Sequence, residues 1–337
     1  MNIYFNFNKF SLFAIRAVIY IFAACFFKAY SQEVNSSMEY YSALDEYSHV
    51  ALGYTNRHNT FSLRHMADKS TKARYVSNSK QVVGLGFHLF DVGFGLAIPI
   101  AKGDGVLRNF DFRANAVHRR WGLDFTLQKY RGYTAKELRQ DVSMANVSLN
   151  GYYIFNFRKY SMPATVNFLE IQNRSAGSFL GHVLLARTRQ KADSALLERP
   201  VTISPDTLGT LRGFRFTYAG ILPGYGYTFS KNMFFVNMSL SVGPVHVWER
   251  YDMGGFGDKD FSFEWATVGR ASVGYSSSKL FYGVSAYLSR LEVDYENMAF
   301  LNSSWQIKLF FGIRFLEKGF FRKSLSDLYT LKRRKGY

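Results

Sequence analysis

The chain has 337 residues, of which 47% are hydrophobic, 18% aromatic and 20% charged, a balance that excludes a disordered chain and suits sheet strands more than helices. Forty-two Lys and Arg stand against 25 Asp and Glu, a formal charge of +17, so a reading of the chain must say where a basic excess resides. One cysteine, Cys25, excludes intrachain disulfides and clustered thiolate metal ligands.

Residues 1–31 read as an export signal peptide, because Lys9 and Arg16 precede the apolar stretch AVIYIFAACFF and Ala29-Tyr30-Ser31 offers small residues at the cleavage positions. That stretch is about half the ~20 residues a membrane helix needs, which argues against an uncleaved anchor. Cleavage after Ser31 would remove Cys25 together with Lys9, Arg16 and Lys28, leaving 39 basic residues against 25 acidic and a charge of about +14. Residues 32–57 lack clear alternation and carry Glu39, Asp45 and Glu46; they read as an N-terminal periplasmic or plug segment.

From residue 58 to 316 apolar and polar residues alternate in segments of roughly ten, with no stretch long and apolar enough for a membrane helix. The clearest segment is Ser303 to Phe315, where Trp305, Ile307, Leu309, Phe311, Ile313 and Phe315 share one face. Val83 to Leu89, Val92 to Ile98, Phe110 to Ala116, Trp121 to Leu127, Ala145 to Phe155, Phe234 to Leu240, Trp265 to Tyr275 and Leu280 to Leu288 repeat the pattern. The predicted fold is all-β: a transmembrane, antiparallel, up-and-down β-barrel of about twelve strands, with ten or fourteen also compatible.

Short connections are expected near 90, 119, 159, 231 and 277, and longer ones at 100–106, 131–141, 174–211, 249–262 and 294–302, matching short periplasmic turns and longer external loops. In 212–230, Phe214, Phe216 and Tyr218 are out of phase with Tyr225, Tyr227 and Phe229, which predicts a bulge at Ala219-Gly220. Phe90, Trp121, Tyr160, Phe229, Trp248, Tyr275, Trp305 and Phe315 fall at strand ends, as interfacial girdles require. Glycines 84, 86, 93 and 95 face the lumen and leave room for bulky neighbours. Residues 317–337 form a basic C-terminal tail ending Leu331-Lys332-Arg333-Arg334-Lys335-Gly336-Tyr337.

Arg108-Asn109-Phe110-Asp111-Phe112, Trp121 through Tyr133, Phe155-Asn156 and Gln172 through Phe179 resemble the Bacteroidota outer-membrane barrels grouped as domain of unknown function 4421. The resemblance spans roughly residues 55–315 and implies a β-barrel in the outer membrane, reached through the secretory signal. It implies no activity and no site residues.

Arg113, Arg215, Arg270, Lys308 and Arg314 fall on the face opposite the lipid-facing side chains, since a cation at mid-membrane on the lipid face costs about 2–4 kcal/mol. With His88, Asp111, Asp124, Tyr130, Tyr152 and Tyr287 they are the candidate lumen residues. Two arrangements compete: an open, anion-attracting interior, or a closed plug in which the cations pair with Asp111, Asp124 and Glu170. The expected function is a small passive channel or ligand-binding barrel with a basic lumen; the alternative is a closed structural or envelope-interaction barrel. A membrane-embedded hydrolase is less favoured, because His88 is the one lumen-facing histidine, with Asp111 or Ser62 as its conceivable partners.

No histidine pair has metal-ligand spacing, and no cofactor is expected. The glycine-rich stretch Gly254 to Lys259 opens no helix and reads as a flexible loop. Loop 174–211, mixing Val183-Leu184-Leu185 with Arg187, Arg189 and Lys191, is the expected place for recognition. Expected partners are outer-membrane lipid and either small anionic solutes or envelope polysaccharide. Nucleic acid is excluded, because the cations are scattered along strands of an exported chain. Oligomeric state is not legible.

Overall fold

A computed structural model describes residues 40–44, 47–66, 72–77, 81–89, 92–99, 110–117, 120–197, 201–204, 207–209, 211–253, 257–295 and 298–316. The expected signal peptide and basic tail lie outside them. The strands are β1 Tyr41–Ala43, β2 Tyr47–His65, β3 Lys72–Ser77, β4 Gln81–Leu89, β5 Val92–Pro99, β6 Phe110–Val117, β7 Trp121–Thr134, β8 Leu138–Ile154, β9 Glu170–Gln172, β10 Ala176–Lys191, β11 Val201–Ser204, β12 Thr207–Gly209, β13 Gly213–Lys231, β14 Phe234–Asp252, β15 Gly257–Ser276, β16 Leu280–Tyr295 and β17 Met298–Leu316. One short helix, α1 (Pro163–Val166), precedes β9.

Strict period-two burial makes these strands the wall of a closed sheet. On β14, Phe234, Val236, Met238, Leu240, Val242 and Trp248 are exposed, whereas Phe235, Asn237, Ser239, Ser241, Val245, Val247 and Glu249 are buried. The last strand closes on the first along its whole length, from Met298↔His65 to Leu316↔Tyr47, so the wall has no free edge there. An apolar exterior on a closed antiparallel sheet is stable in hydrocarbon, where every backbone polar group must be satisfied within the protein. The molecule is a transmembrane β-barrel.

The strand number differs between the two ends. At the end holding both chain termini of the wall, the ladder runs β2-β4-β5-β6-β7-β8-β10-β13-β14-β15-β16-β17, twelve strands. Towards the other end the pairing changes. There β3, which precedes β4 on the same side of β2, pairs directly with β7 at Val76↔Thr134, and the closed ring has ten. The barrel therefore tapers, and the two nearest predicted counts each describe one end.

Several boundaries move. Tyr47–Asn56, read as part of an N-terminal segment, belong to the wall through Val50↔Ile313 and Val50↔Phe87. Lys191, expected in a long loop, ends a sixteen-residue strand, and β13, β14 and β17 each run nineteen residues. Since about 9–11 residues cross a bilayer, roughly half of each long strand stands beyond the membrane. The connection near 159 is not a short turn: residues 155–175 fold into the barrel.

The bulge expected at Ala219-Gly220 is absent, because one register joins β10 to β13 from Ala176↔Thr228 to Lys191↔Gly213. Phe214, Phe216 and Tyr218 are buried in the lumen, while Ile221, Tyr225, Tyr227 and Phe229 are exposed. What changes along β13 is which face is apolar, not the phase. Inside the membrane the outer face must be apolar; above it the interior must be.

Candidate functional site

The lumen is filled in three layers. In the half away from the chain termini, inward side chains form one apolar cluster that includes Phe61, Tyr75, Tyr133, Phe214, Phe216, Val247, Tyr251 and Phe300. In the ten-strand ring β2 and β13 are five strands apart either way, yet the Phe61 and Phe214 rings lie 5.7 Å apart, edge to face. Phe300 meets Phe214 at 5.2 Å, Phe216 at 5.7 Å and Tyr251 at 5.2 Å. These are ordinary packing distances for aromatic pairs, so the rings bridge the diameter. Leu196, Leu197 and Leu211, from the segments beside β10 and β13, join the same cluster.

The middle layer is polar and tied across the lumen. Asp111 on β6 pairs with Arg57 on β2, accepts from Arg113 Nε at 3.1 Å and Gln128 Nε2 at 2.9 Å, and receives the Tyr130 hydroxyl at 2.7 Å. Arg57 also donates to the Tyr130 oxygen at 2.8 Å. Asp124 on β7 pairs with Arg270 on β15, and the Arg270 guanidinium lies 5.6 Å from the ring centres of both Tyr152 and Tyr287. A cavity of about 250 Å³ remains, lined by Arg113, Asp124, Arg270, Tyr287, Gln306 and Lys308 among others. Lys308 borders it with no salt-bridge partner among the described residues.

The third layer is the plug formed by residues 155–175 with β1. Its short sheet pairs β1 with β9, from Tyr41↔Gln172 to Ala43↔Glu170. Gln172 organises it: Oε1 accepts from Ser161 N at 2.8 Å, while Nε2 donates to the carbonyls of Lys159 at 2.7 Å, Arg174 at 2.8 Å and Tyr40 at 3.2 Å. Asn156 and Asn173 add bonds to Gly177 O and Ser42 Oγ. The motif residues that carry the family resemblance around 156 and 172–175 therefore hold the plug together.

Two latches fix the plug to the wall. Phe168 inserts among Phe235, Phe281 and Phe310, with ring centres 4.5 Å from Phe281 and 4.7 Å from Phe310. Its backbone is in the left-handed region, φ 57°, which a bulky residue avoids unless its surroundings impose it. Arg314 imposes it, donating Nε and Nη2 to the Phe168 carbonyl at 2.9 and 2.6 Å. On the other side the Tyr160 hydroxyl accepts from Asn237 Nδ2 at 3.0 Å. Its ring lies over Gly226, where a Cβ would stand 2.6 Å from the hydroxyl oxygen.

Of the five basic candidates, Arg113, Arg270 and Lys308 meet in the middle layer and Arg314 serves the plug. Arg215 is a correction: Phe214 and Phe216 on either side are buried inward, so Arg215 points outward with Arg189 and Arg250 as its cross-strand neighbours. Its apolar neighbours point inward because this stretch of β13 lies above the lipid, where the interior is the apolar side. Asp111, Tyr130 and Tyr152 are buried on the inner side of the wall, and Asp124 and Tyr287 border the cavity. His88 faces inward but stacks on His49, ring centres 5.6 Å apart, while Asp111 is taken up by Arg57, Arg113, Gln128 and Tyr130.

Tyr160, expected in a girdle, is fully buried in the plug. Phe229, Trp248, Trp305 and Phe315 are exposed on the outer surface as expected. Gly93 does make room, lying against the Asn115 amide. Among the described residues no cluster of His, Cys, Asp and Glu could hold a metal. Sequence reasoning missed Arg57, Phe168 and Gln172; Pro163 and the polar run from Gln172 to Ser175, neither of which suits a membrane strand, were the available signal.

The family model described as a domain of unknown function (DUF4421) matches residues 36–315, and the chain belongs to that family. No curated protein matches the sequence. Among solved structures, the outer membrane protease OmpT from Escherichia coli is 7% identical, with 82% of this chain and 98% of that one covered and a TM-score of 0.39. Neisserial surface protein A is 8% identical, with 78% and 96% covered and a TM-score of 0.23. The attachment invasion locus protein Ail of Yersinia pestis, in complex with the heparin analogue sucrose octasulfate, is 10% identical, with 80% and 98% covered and a TM-score of 0.22. Similarity at that level says nothing about this chain's residues or activity.

Proposed function

We propose that this member of the DUF4421 family is a closed, non-conducting outer-membrane barrel, a structural or interaction component of the envelope that works through its outer surface and its external end. The reading rests on one observation above all: the Phe61 and Phe214 rings pack 5.7 Å apart across the lumen. The plug closes the opposite end independently. Open passage would require both apolar packing and buried hydrogen bonds to be given up, and neither can be displaced by a solute without cost.

Export, insertion in the outer membrane and a non-enzymatic role belong to the same proposal. The chain termini of the wall and the tight turns at 232–233 and 277–279 share the plugged end, which we take as periplasmic. The long strand extensions and the segment between β10 and β13 then face outside. The basic lumen supports little anion selectivity, since Arg113 and Arg270 are each paired with a carboxylate. The ~250 Å³ cavity has room for roughly eight waters at ~30 Å³ each and lies between the aromatic layer and the plug.

The test is electrical. Refolded protein, shown by protease protection to be inserted in a planar bilayer, should give no stable unitary currents. Regular, anion-preferring openings from wild-type protein would overturn the closed reading and restore the channel.

A further inference from the structure

On the outer surface, just above the apolar belt, four strands place cations opposite one another. Arg189 on β10 pairs with Arg215 on β13, and Arg215 with Arg250 on β14. Arg187 lies one outward position below Arg189, and Lys259 on β15 faces Arg250. Like charges directly opposed on neighbouring strands repel. At a strand spacing of about 4.8 Å, the row from β10 to β15 is roughly 15 Å long.

Three cations of this row lack a carboxylate partner among the described residues. Arg187, Arg189 and Arg215 have no salt bridge among the described residues, and the Arg215 Nε is a buried donor without an acceptor. Asp252, one outward position beyond Arg250, is an acid on the same face of β14. Elsewhere on the rim charges are mixed: Arg290 bonds Glu292 at 2.8 Å, and Arg64 lies 3.7 Å from the same carboxylate. Arg64 also faces Lys72 across β2 and β3, so outward cations occur on a second arc, there with the Glu292 carboxylate beside them.

Its height decides the ligand. One pair below Arg215 and Arg250 come Trp248 and Phe261, and below these Phe263 and Trp265, all exposed, with Val183, Leu185 and Ile221 beside them. A molecule filling this surface must be apolar below and multiply anionic above. Cations near the interface cost little in the bilayer, about 0–1 kcal/mol, and gain charge-assisted bidentate bonds where a phosphate meets guanidinium groups. We propose that Arg187, Arg189 and Arg215 dock the phosphorylated headgroup of an outer-leaflet lipid, whose acyl chains lie along β10, β13, β14 and β15. The assignment rests on the outer-membrane reading above.

The experiment adds bisphosphorylated lipid A, its dephosphorylated form, or inorganic phosphate to full-length protein in neutral detergent micelles, and reads bound lipid by native mass spectrometry. Vesicle flotation of the same preparations checks insertion, so failure of the membrane reading is seen separately as protein that does not float. Wild-type protein should retain lipid A at least ten-fold better than the dephosphorylated form. An Arg189→Gln/Arg215→Gln variant should lose that preference, whereas Arg290→Gln on β16, outside the row, should keep it. Equal retention of the two lipids by wild-type protein overturns the proposal whether or not the variant folds. So does an undiminished preference in the folded double variant, and so does competition by equimolar inorganic phosphate, which would mark a free-anion site.

Discussion

Replacing Phe168 with Ala should release the plug without opening the barrel. The ring is buried against Phe281, Phe310 and Phe235, and a buried Phe→Ala change costs about 3–5 kcal/mol. The left-handed backbone at φ 57° stays strained, because Ala carries the same Cβ penalty, so no relief offsets the loss. If that cost falls on docking, the undocked population rises between about a hundred-fold and a few thousand-fold, at 1.4 kcal/mol per decade. Hydrogen exchange of amides 161–172, followed by mass spectrometry in nanodiscs, should accelerate accordingly. Planar bilayers should still be silent, because the aromatic layer around Phe61, Phe214 and Phe300 is untouched. Conductance should appear when Phe168→Ala is combined with Phe214→Ala and Phe300→Ala. Unchanged exchange at 161–172 would refute the latch, and steady currents from Phe168→Ala alone would refute the second barrier.

Gly226→Ala sets a Cβ against the Tyr160 ring and should destabilise by about 1–3 kcal/mol in a thermal or urea unfolding series, with almost no further cost in a Tyr160→Ala background. Asp124→Asn strands the Arg270 charge; since the two side chains keep 15% and 20% exposure to the cavity, the loss should be roughly 3 kcal/mol, the low end for breaking a buried pair. An Asp124→Leu/Arg270→Met double variant should recover most of it. At the external rim the Arg139 guanidinium, bonding at 2.7 Å, holds the Asp141 carboxyl well below its usual range, and Asp141 also accepts from the amides of Asp193 and Ser194. A depressed carboxylate stabilises the fold above its unfolded pKa, about 3.9, and loses that contribution as pH falls towards the folded value. Exchange at Asp193 and Ser194 should thus be independent of carboxyl titration from pH 7 to 5 and rise below about pH 4; Asp141→Asn should show the fast rate at neutral pH.

The alternation of Trp305, Ile307, Leu309, Phe311, Ile313 and Phe315 was legible because a lipid-facing residue is chosen by solvent alone: hydrocarbon on one side and a polar interior on the other impose period two. The same rule failed for Phe214, Phe216 and Tyr218, since above the membrane the apolar side turns inward, and periodicity reports that two faces differ without saying which is which. Arg215 was misassigned with them. The plug left a fainter trace, because Gln172 and Asn156 act through bonds to backbone groups far apart in sequence, which no local pattern encodes.

The sequence by itself determined a closed, antiparallel wall, its family and most of the side chains that line its interior, because those depend on alternation between neighbours. Only the tertiary structure decided which side chains meet across the lumen. Phe61 reaching Phe214, Asp124 reaching Arg270 and Arg314 reaching Phe168 are contacts between strands or segments opposed across the barrel, fixed by the ring's diameter and register rather than by any residue's own surroundings along the chain.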